Sequence, residues 1–292
     1  MLKMLIIGGG RQIGKAILNT IDTSMIEVSI INRGVSSMLG SEYYRSKNVK
    51  YIKGDRSEFV NKSNLEFDIV LDTCAYDPVQ YSKELRKWKE YHGKYIFISS
   101  AYVYNYDKCH ICEKSSLLNA KKINSESNQK ILDYGIKKIE CEKIALETLS
   151  DLLIMRPGVL LSKYDHTCRI EKWISRANSG FYPNDFQKKW TTQFLSTDDF
   201  ANFILKCINK DINGILNVAG SPITLEQFWD TVLEFKESIK ISKEFECSSE
   251  FQFFEKQSRA IIQTNKAEKF GMNKTNSSKL LFQILKSKCK EY

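Results

Sequence analysis

Short apolar runs recur at regular intervals through the first hundred residues. Segments 4–7, 28–31, 49–52, 69–71 and 95–98 are largely apolar and are bounded by glycine, proline or charged residues. Runs this short and this apolar read as strands buried on both faces. Helix-like segments lie between them, the clearest being 79–91, which follows Asp77-Pro78 and stops before Gly93. Strands alternating with helices predict a parallel sheet with crossover helices. A sixth strand is expected at 152–155, ended by Arg156-Pro157-Gly158.

Beyond that strand the pattern thins. Residues 160–193 carry Gly180, Pro183 and many polar side chains, as a substrate-facing lobe would. Phe200, Phe203, Ile204, Cys207 and Ile208 then repeat at helical spacing after Asp198-Asp199, which can cap that helix. Residues 215–218 read as a late strand, and Thr224 with Gln227 forms a capping-box signal. The polar stretch 105–130 reads as a long loop over the sheet's carboxyl edge. The expected architecture is α/β: a Rossmann-type doubly wound parallel sheet over 1–158, with 159–292 mainly a small C-terminal substrate-binding lobe and 196–220 returning to the core.

At 292 residues, with 42% apolar and 12% aromatic side chains, the chain has enough material for a packed core. The opening apolar run is too short for a signal peptide and no stretch approaches bilayer length, so a cytoplasmic protein without membrane contact is expected. Eight cysteines without framework spacing read as reduced thiols. A net charge of +9 favours anionic partners, but the lysines are interleaved with acids like a solvated surface, which makes nucleic acid the weaker expectation.

The chemistry begins directly off the first strand, at Gly8-Gly9-Gly10-Arg11-Gln12-Ile13-Gly14, which opens a helix. Glycines there let the backbone approach a pyrophosphate, whose charge then rests on the helix N-terminus. The second strand ends in Asn32-Arg33-Gly34, where an NAD site usually has an acid for the ribose 2'-hydroxyl. A guanidinium at Arg33 can instead pair with a 2'-phosphate, and Arg11 can reach the same side. The reading leans to NADP, with NAD open and a surface role for Arg33 the alternative. Asp55 is placed to accept from an adenine amino group or to sit as a loop aspartate, and Cys74, just past the fourth strand, is counted with the cofactor set.

Tyr134, Lys138, Cys141 and Ala145 lie at i, i+4, i+7 and i+11, on one face of a helix expected to begin at Tyr134. An ammonium beside a phenol, together with the positive nicotinamide ring, favours the ionised phenol, which can exchange a proton with a substrate hydroxyl or carbonyl as hydride moves. Lys138 would also hold the nicotinamide ribose. The fifth strand ends in Ser99-Ser100 at the sheet's carboxyl end, so Ser100 can hydrogen-bond the reacting oxygen and hold Tyr134.

Together with Ser99-Ser100-Ala101-Tyr102-Val103-Tyr104, Arg156-Pro157-Gly158, Gln193-Phe194 with Asp199, and Asn217-Val218-Ala219-Gly220, these motifs resemble the NAD-dependent epimerase/dehydratase family, the extended short-chain dehydrogenases/reductases. The resemblance covers nearly the whole chain, most clearly 3–235, and implies Ser100, Tyr134 and Lys138 as the catalytic triad. Two departures matter. Arg11 takes the middle position of the usual Gly-x-x-Gly-x-x-Gly, which resembles a subgroup with an arginine in that motif. Ala101-Tyr102 stands where sugar-nucleotide 4,6-dehydratases carry Asp-Glu, so the resemblance implies carbonyl reduction or epimerisation of a sugar or nucleotide-sugar, not dehydration. It also implies a homodimer through helices at 79–91 and 134–149. The competing reading is a catalytically silent dinucleotide binder with an RNA or protein partner.

Cys109-His110-Ile111-Cys112 looks like half a zinc site without its second half, and no metal is expected. His166, Arg169 and Lys188-Lys189-Trp190 are candidates for substrate or phosphate contact, or plain loop residues.

Overall fold

The computed structural model describes residues 1–35, 39–62, 66–88, 91–119, 129–165, 167–240 and 258–289. Strands β1 (Leu2–Ile7), β2 (Ile26–Asn32), β3 (Lys50–Lys53), β4 (Ile69–Asp72) and β5 (Lys94–Ile98) form where the apolar runs predicted them. Two further strands, β7 (Leu152–Pro157) and β10 (Gly214–Val218), complete a seven-stranded parallel sheet of order β10-β7-β5-β4-β1-β2-β3. Ile6 pairs with Ile30 on one side and Leu71 on the other, which fixes the central register. β7 runs through Arg156 and Pro157 instead of stopping before them, and Pro157 pairs with Val218.

The central strands are apolar along most of their length because both faces are covered, whereas β3, at the sheet edge, buries none of its residues. Met4 and Ile6 pack on one face with Ile17 of α1 (Gln12–Thr20) and Phe200 and Ile204 of α7 (Thr197–Ile208). Leu5 and Ile7 pack on the other with Tyr81 and Leu85 of α4 (Pro78–Leu85) and Cys141 and Ala145 of α5 (Gln129–Thr148). Each such fully buried side chain stabilises the fold by about 1.5–3 kcal/mol. Strand order reverses between β1 and β4, and a crevice opens at the carboxyl ends there, the usual ligand position of doubly wound sheets.

Helix ends depart from expectation where capping chemistry or a large side chain intervenes. α4 starts as predicted, with the Asp77 side chain accepting from Val79 and Gln80 and Pro78 at the first turn. It stops at Leu85, and a 3-10 turn, Arg86–Trp88, swings Trp88 into the core against Tyr91 and Tyr95. α5 begins at Gln129, before Tyr134, so the proposed catalytic side chains lie inside the helix. Ser196, not Asp198 or Asp199, caps α7, and the Thr224–Gln227 capping box forms on α8 (Leu225–Phe235).

The segment 160–193 is more ordered than its pattern suggested. β8 (Val159–Leu161) pairs in parallel with β9 (Thr191–Ser196), which pairs antiparallel with β11 (Pro222–Thr224). α6 (Arg169–Asn178) buries Ile170, Trp173 and Ile174 against Phe194, Phe228 and Leu281, the last on a helix spanning Ser277–Lys288. Within the expected loop 105–130, β6 (His110–Ile111) pairs with β12 (Ile261–Ile262), and residues 120–128 lie outside the described ones. Among the described residues no helix is long and apolar enough to cross a membrane, and every cysteine is a free thiol.

Candidate active site

The chain leaves β1 in a turn that only glycine adopts without strain. Gly8 and Gly9 have φ of +91° and +61°. A side chain at Gly8 would meet Thr73 Oγ1 at 2.5 Å, and the Gly9 amide donates to that same hydroxyl at 2.9 Å, tying the loop to the end of β4. Gly14, in the first turn of α1, lets the helix close on the loop, because a Cβ there would stand 1.8 Å from the Gly9 carbonyl oxygen. Arg11 has φ −122° and ψ −164°, an extended conformation open to any residue, which is why arginine is accommodated between the glycines of this loop. The first turn of α1 contains no acid, so the electrostatics of its leading amides suit an anion at the base of the crevice.

The residues expected from the sequence to hold the cofactor or carry the chemistry, Gly8 through Gly14, Asn32, Arg33, Asp55, Cys74, Ser100, Tyr134 and Lys138, line one cavity of about 770 Å³. Arg11 and Arg33 are exposed on its rim. Asn32 is fully engaged: its amide nitrogen donates to the Gly8 carbonyl and the Tyr44 hydroxyl, and its oxygen accepts from the Gly34 amide and the Tyr51 hydroxyl. Its side chain therefore holds the glycine loop to β2 and has no spare acceptor for a ribose hydroxyl. Asp55 caps α3 (Arg56–Lys62) by accepting from the Ser57 amide at 2.9 Å, with one carboxylate oxygen left toward the cavity. The Cys74 thiol is pushed up to about 11, chiefly by burial and then by Asp72, and stays neutral.

At the other end of the cavity, Ser100 accepts from the Tyr102 amide at 3.2 Å, and its hydroxyl pulls the Tyr134 pKa down against the larger effect of burial. Lys138 is buried, and its Nζ donates to the Ile98 carbonyl at 2.8 Å. Burial lowers it to about 8, with Asp72 working the other way. Without the positive nicotinamide ring beside it, Lys138 alone does not ionise Tyr134. Nζ is 6.0 Å from the Tyr134 ring centre, and burial, seconded by the Tyr76 phenol, raises Tyr134 well above the ordinary tyrosine range. Tyr134 is thus a neutral phenol that carries its proton.

Several cavity residues escaped the sequence reading. Tyr76 presses its ring over Lys138 Nζ at 4.6 Å and against Tyr134 at 5.9 Å between ring centres. Arg56 binds Asp72 with two hydrogen bonds, of 3.0 and 2.7 Å, and also pairs with Glu84. The one available signal was Asp72 itself, an acid at the end of an otherwise apolar strand. Arg169 does line the cavity, donating to the Leu160 carbonyl at 2.9 Å and lying 3.5 Å from Asp165, which accepts from Gln12 at 3.3 Å. Lys188, Lys189 and Trp190 do not line it; Lys188 pairs with Asp185. His166 lies outside the described residues. Cys109 and His110 are exposed on and beside β6, and among the described residues no group of three potential ligands could hold a metal.

Two cavity-lining polar atoms test whether a ligand belongs here. Gln12 Oε1 and Ser99 Oγ are buried and have no partner. Unpaired buried polar atoms cost about 1–3 kcal/mol each, and a turn of either side chain toward the cavity would let a polar ligand lying from the glycine loop to the ends of β4 and β5 relieve it. A dinucleotide has that length and chemistry.

No family model matches the sequence, and no curated protein does either. Solved structures do. UDP-glucuronic acid 4-epimerase from Bacillus cereus, in complex with NAD, superposes with a TM-score of 0.71 at 15% identity, over 99% of this chain and 97% of that one. UDP-N-acetylglucosamine 4-epimerase from Methanobrevibacter ruminantium, bound to UDP-N-acetylmuramic acid, gives 0.70 at 17%, over 100% and 99%. dTDP-glucose 4,6-dehydratase from Bacillus anthracis, in complex with NAD, gives 0.68 at 14%, over 98% and 96%. The chain has their fold. The likeness runs over the full length of both partners, so it includes the small sheet and helices beyond β7 as well as the parallel core.

Proposed function

We propose that this chain is an extended short-chain dehydrogenase/reductase: an NADP-preferring enzyme that reduces a carbonyl on a sugar, in the first instance a nucleotide-sugar. The observation that carries the reading is the joining, in one cavity, of a glycine loop at a helix N-terminus with the Ser100, Tyr134 and Lys138 side chains. Gly8 to Gly14 would hold the pyrophosphate on backbone amides. Arg33 and Arg11 would take the adenosine 2'-phosphate, since Asn32 has no free acceptor for a 2'-hydroxyl. Asp55 keeps a carboxylate oxygen for the adenine amino group. Cys74 would pack beside the dinucleotide without ionising.

When bound, the dinucleotide supplies the hydride. Tyr134 holds the complementary proton and would give it to the developing alkoxide, while Ser100 orients that oxygen. Lys138, with one N–H spent on Ile98, has two left for the nicotinamide ribose hydroxyls. A neutral Tyr134 suits reduction, where the phenol begins as the acid. Epimerisation needs the same set and remains the runner-up, as the 4-epimerases with this fold bring to mind. Ala101 and Tyr102 offer no carboxylate for elimination of water, which counts against dehydration. We assign 1–158 to dinucleotide binding and 159–292 mainly to substrate, with 196–220 part of the core; Thr167 and Arg169 reach the cavity from the second part.

The test is incubation with NADPH and a panel of UDP- and dTDP-linked keto-sugars, following loss of nicotinamide absorbance. Turnover that disappears in Tyr134→Phe supports the reading. NADPH binding without turnover of any keto-sugar or of the corresponding sugars with NADP would favour the silent-binder alternative.

A further inference from the structure

The Lys138 ammonium is buried, and its direct contacts are uncharged: the Ile98 carbonyl and the ring faces of Tyr76 and Phe97, at 4.6 and 4.8 Å. A buried cation without a counter-charge should shed its proton. Four titratable groups near it are neutral: Cys74 at about 11, Cys141 at about 12, and the Tyr76 and Tyr134 phenols, all raised first of all by burial. Glu142, one turn further along α5, is spent on Arg156 in a two-point ion pair of 2.9 and 2.6 Å. On the β4 side one Arg56 guanidinium is shared between two buried carboxylates, Asp72 and Glu84, leaving that cluster one negative charge in excess.

Topology puts that excess next to Lys138. Asp72 stands opposite Phe97 in the β4–β5 register, and Nζ lies over the Phe97 ring and on the carbonyl of the next residue. The carboxylate is held by Arg56, by the Tyr95 hydroxyl at 2.7 Å and by the Cys74 amide at 3.0 Å. Resting on the catalytic reading of Lys138 above, we infer that Asp72 is a positioning residue, whose fixed carboxylate supplies the buried negative charge that keeps the Lys138 ammonium protonated. With Lys138 charged, the local set of six charges, Arg56, Asp72, Glu84, Lys138, Glu142 and Arg156, sums to zero. Low dielectric between the strands leaves the attraction largely unscreened by salt.

The test reads Lys138 directly in the ligand-free protein, by NMR of lysine labelled at the ε-carbon, the resonance being assigned by its loss in Lys138→Arg. The wild-type midpoint is expected near 8. Asp72→Asn should lower it by about one pH unit or more, and Arg56→Gln, which removes the competing cation, should raise it. An unchanged midpoint in Asp72→Asn, or a fall in Arg56→Gln, overturns the inference. If neither variant folds, the wild-type Asp72 carboxyl carbon carries the test: its resonance should shift with the Lys138 midpoint, and a flat response across that pH range overturns it. No cofactor or substrate is needed, so these outcomes are independent of whether the enzyme reading holds. With a substrate in hand, the high-pH limb of kcat/KM should move down by the same amount in Asp72→Asn.

Discussion

Replacing Gly14 with alanine is the smallest change that should disable the cavity. The added methyl would stand 1.8 Å from the Gly9 carbonyl oxygen and 2.3 Å from its carbon, where real Cβ atoms do not come within 3.0 Å of a heavy atom. The Gly9 peptide must therefore retreat by at least 1.2 Å, the difference between 3.0 and 1.8 Å. That peptide belongs to the loop whose amides would meet the pyrophosphate, so hydrogen bonds of about 2.9 Å would stretch past 3.5 Å and be lost. Two charge-assisted bonds at about 1.5–3 kcal/mol each give a loss of at least about 3 kcal/mol, or roughly 100-fold in NADPH affinity. Strain adds about 1–3 kcal/mol of lost stability. The assay is NADPH titration by nicotinamide fluorescence at a temperature where circular dichroism shows the variant folded. Gly40→Ala serves as control, since a Cβ there meets nothing within 4 Å. A Gly14→Ala protein that binds NADPH as tightly as wild type would refute the assignment of this loop to pyrophosphate.

Other consequences can be checked separately. Tyr134→Phe should cut kcat by about 10²–10⁴-fold and leave the NADPH dissociation constant unchanged, as measured by steady-state kinetics beside fluorescence titration. Because kcat/KM reports the free enzyme and Lys138 loses its proton near 8 while Tyr134 keeps its own, kcat/KM for reduction should fall as pH rises through about 8; a profile level to pH 10 would contradict that. Arg156→Met strands the buried Glu142 carboxylate and should destabilise the fold by about 3–5 kcal/mol, a Tm drop on the order of 10 °C by calorimetry, whereas Arg156→Met combined with Glu142→Leu should recover most of it.

The sheet was legible because its central strands are apolar on both faces, as Met4, Leu5, Ile6 and Ile7 illustrate, so the pattern needs no long-range information. α6 did carry a helix signal, since Ile170, Trp173, Ile174 and Ala177 fall at i, i+3, i+4 and i+7, but it starts after Cys168, a left-handed residue with no capping side chain, so nothing in the sequence marked its beginning. β9 reads as polar because Gln193 is buried in it, its amide bonded to Gly220 and Ile262. At the site, the glycine loop and the Tyr134–Lys138 pair are local in sequence and could be read. Asp72 with Arg56 and Glu84, and Tyr76 over Lys138, come together only through β4–β5 pairing and the packing of α4. The charge of Tyr134 in the absence of dinucleotide was not legible, because spacing reports proximity on a helix face, whereas burial raises the phenol.

The central claim is that the cavity binds a dinucleotide and reads its 2'-phosphate. Its most direct test is titration of wild type and Arg33→Ala with NADPH and with NADH, following nicotinamide fluorescence. The account predicts that wild type prefers NADPH and that Arg33→Ala weakens NADPH by roughly tenfold or more while leaving NADH nearly unchanged, as loss of one charge-assisted phosphate contact requires. Binding of neither dinucleotide, oxidised or reduced, would contradict it.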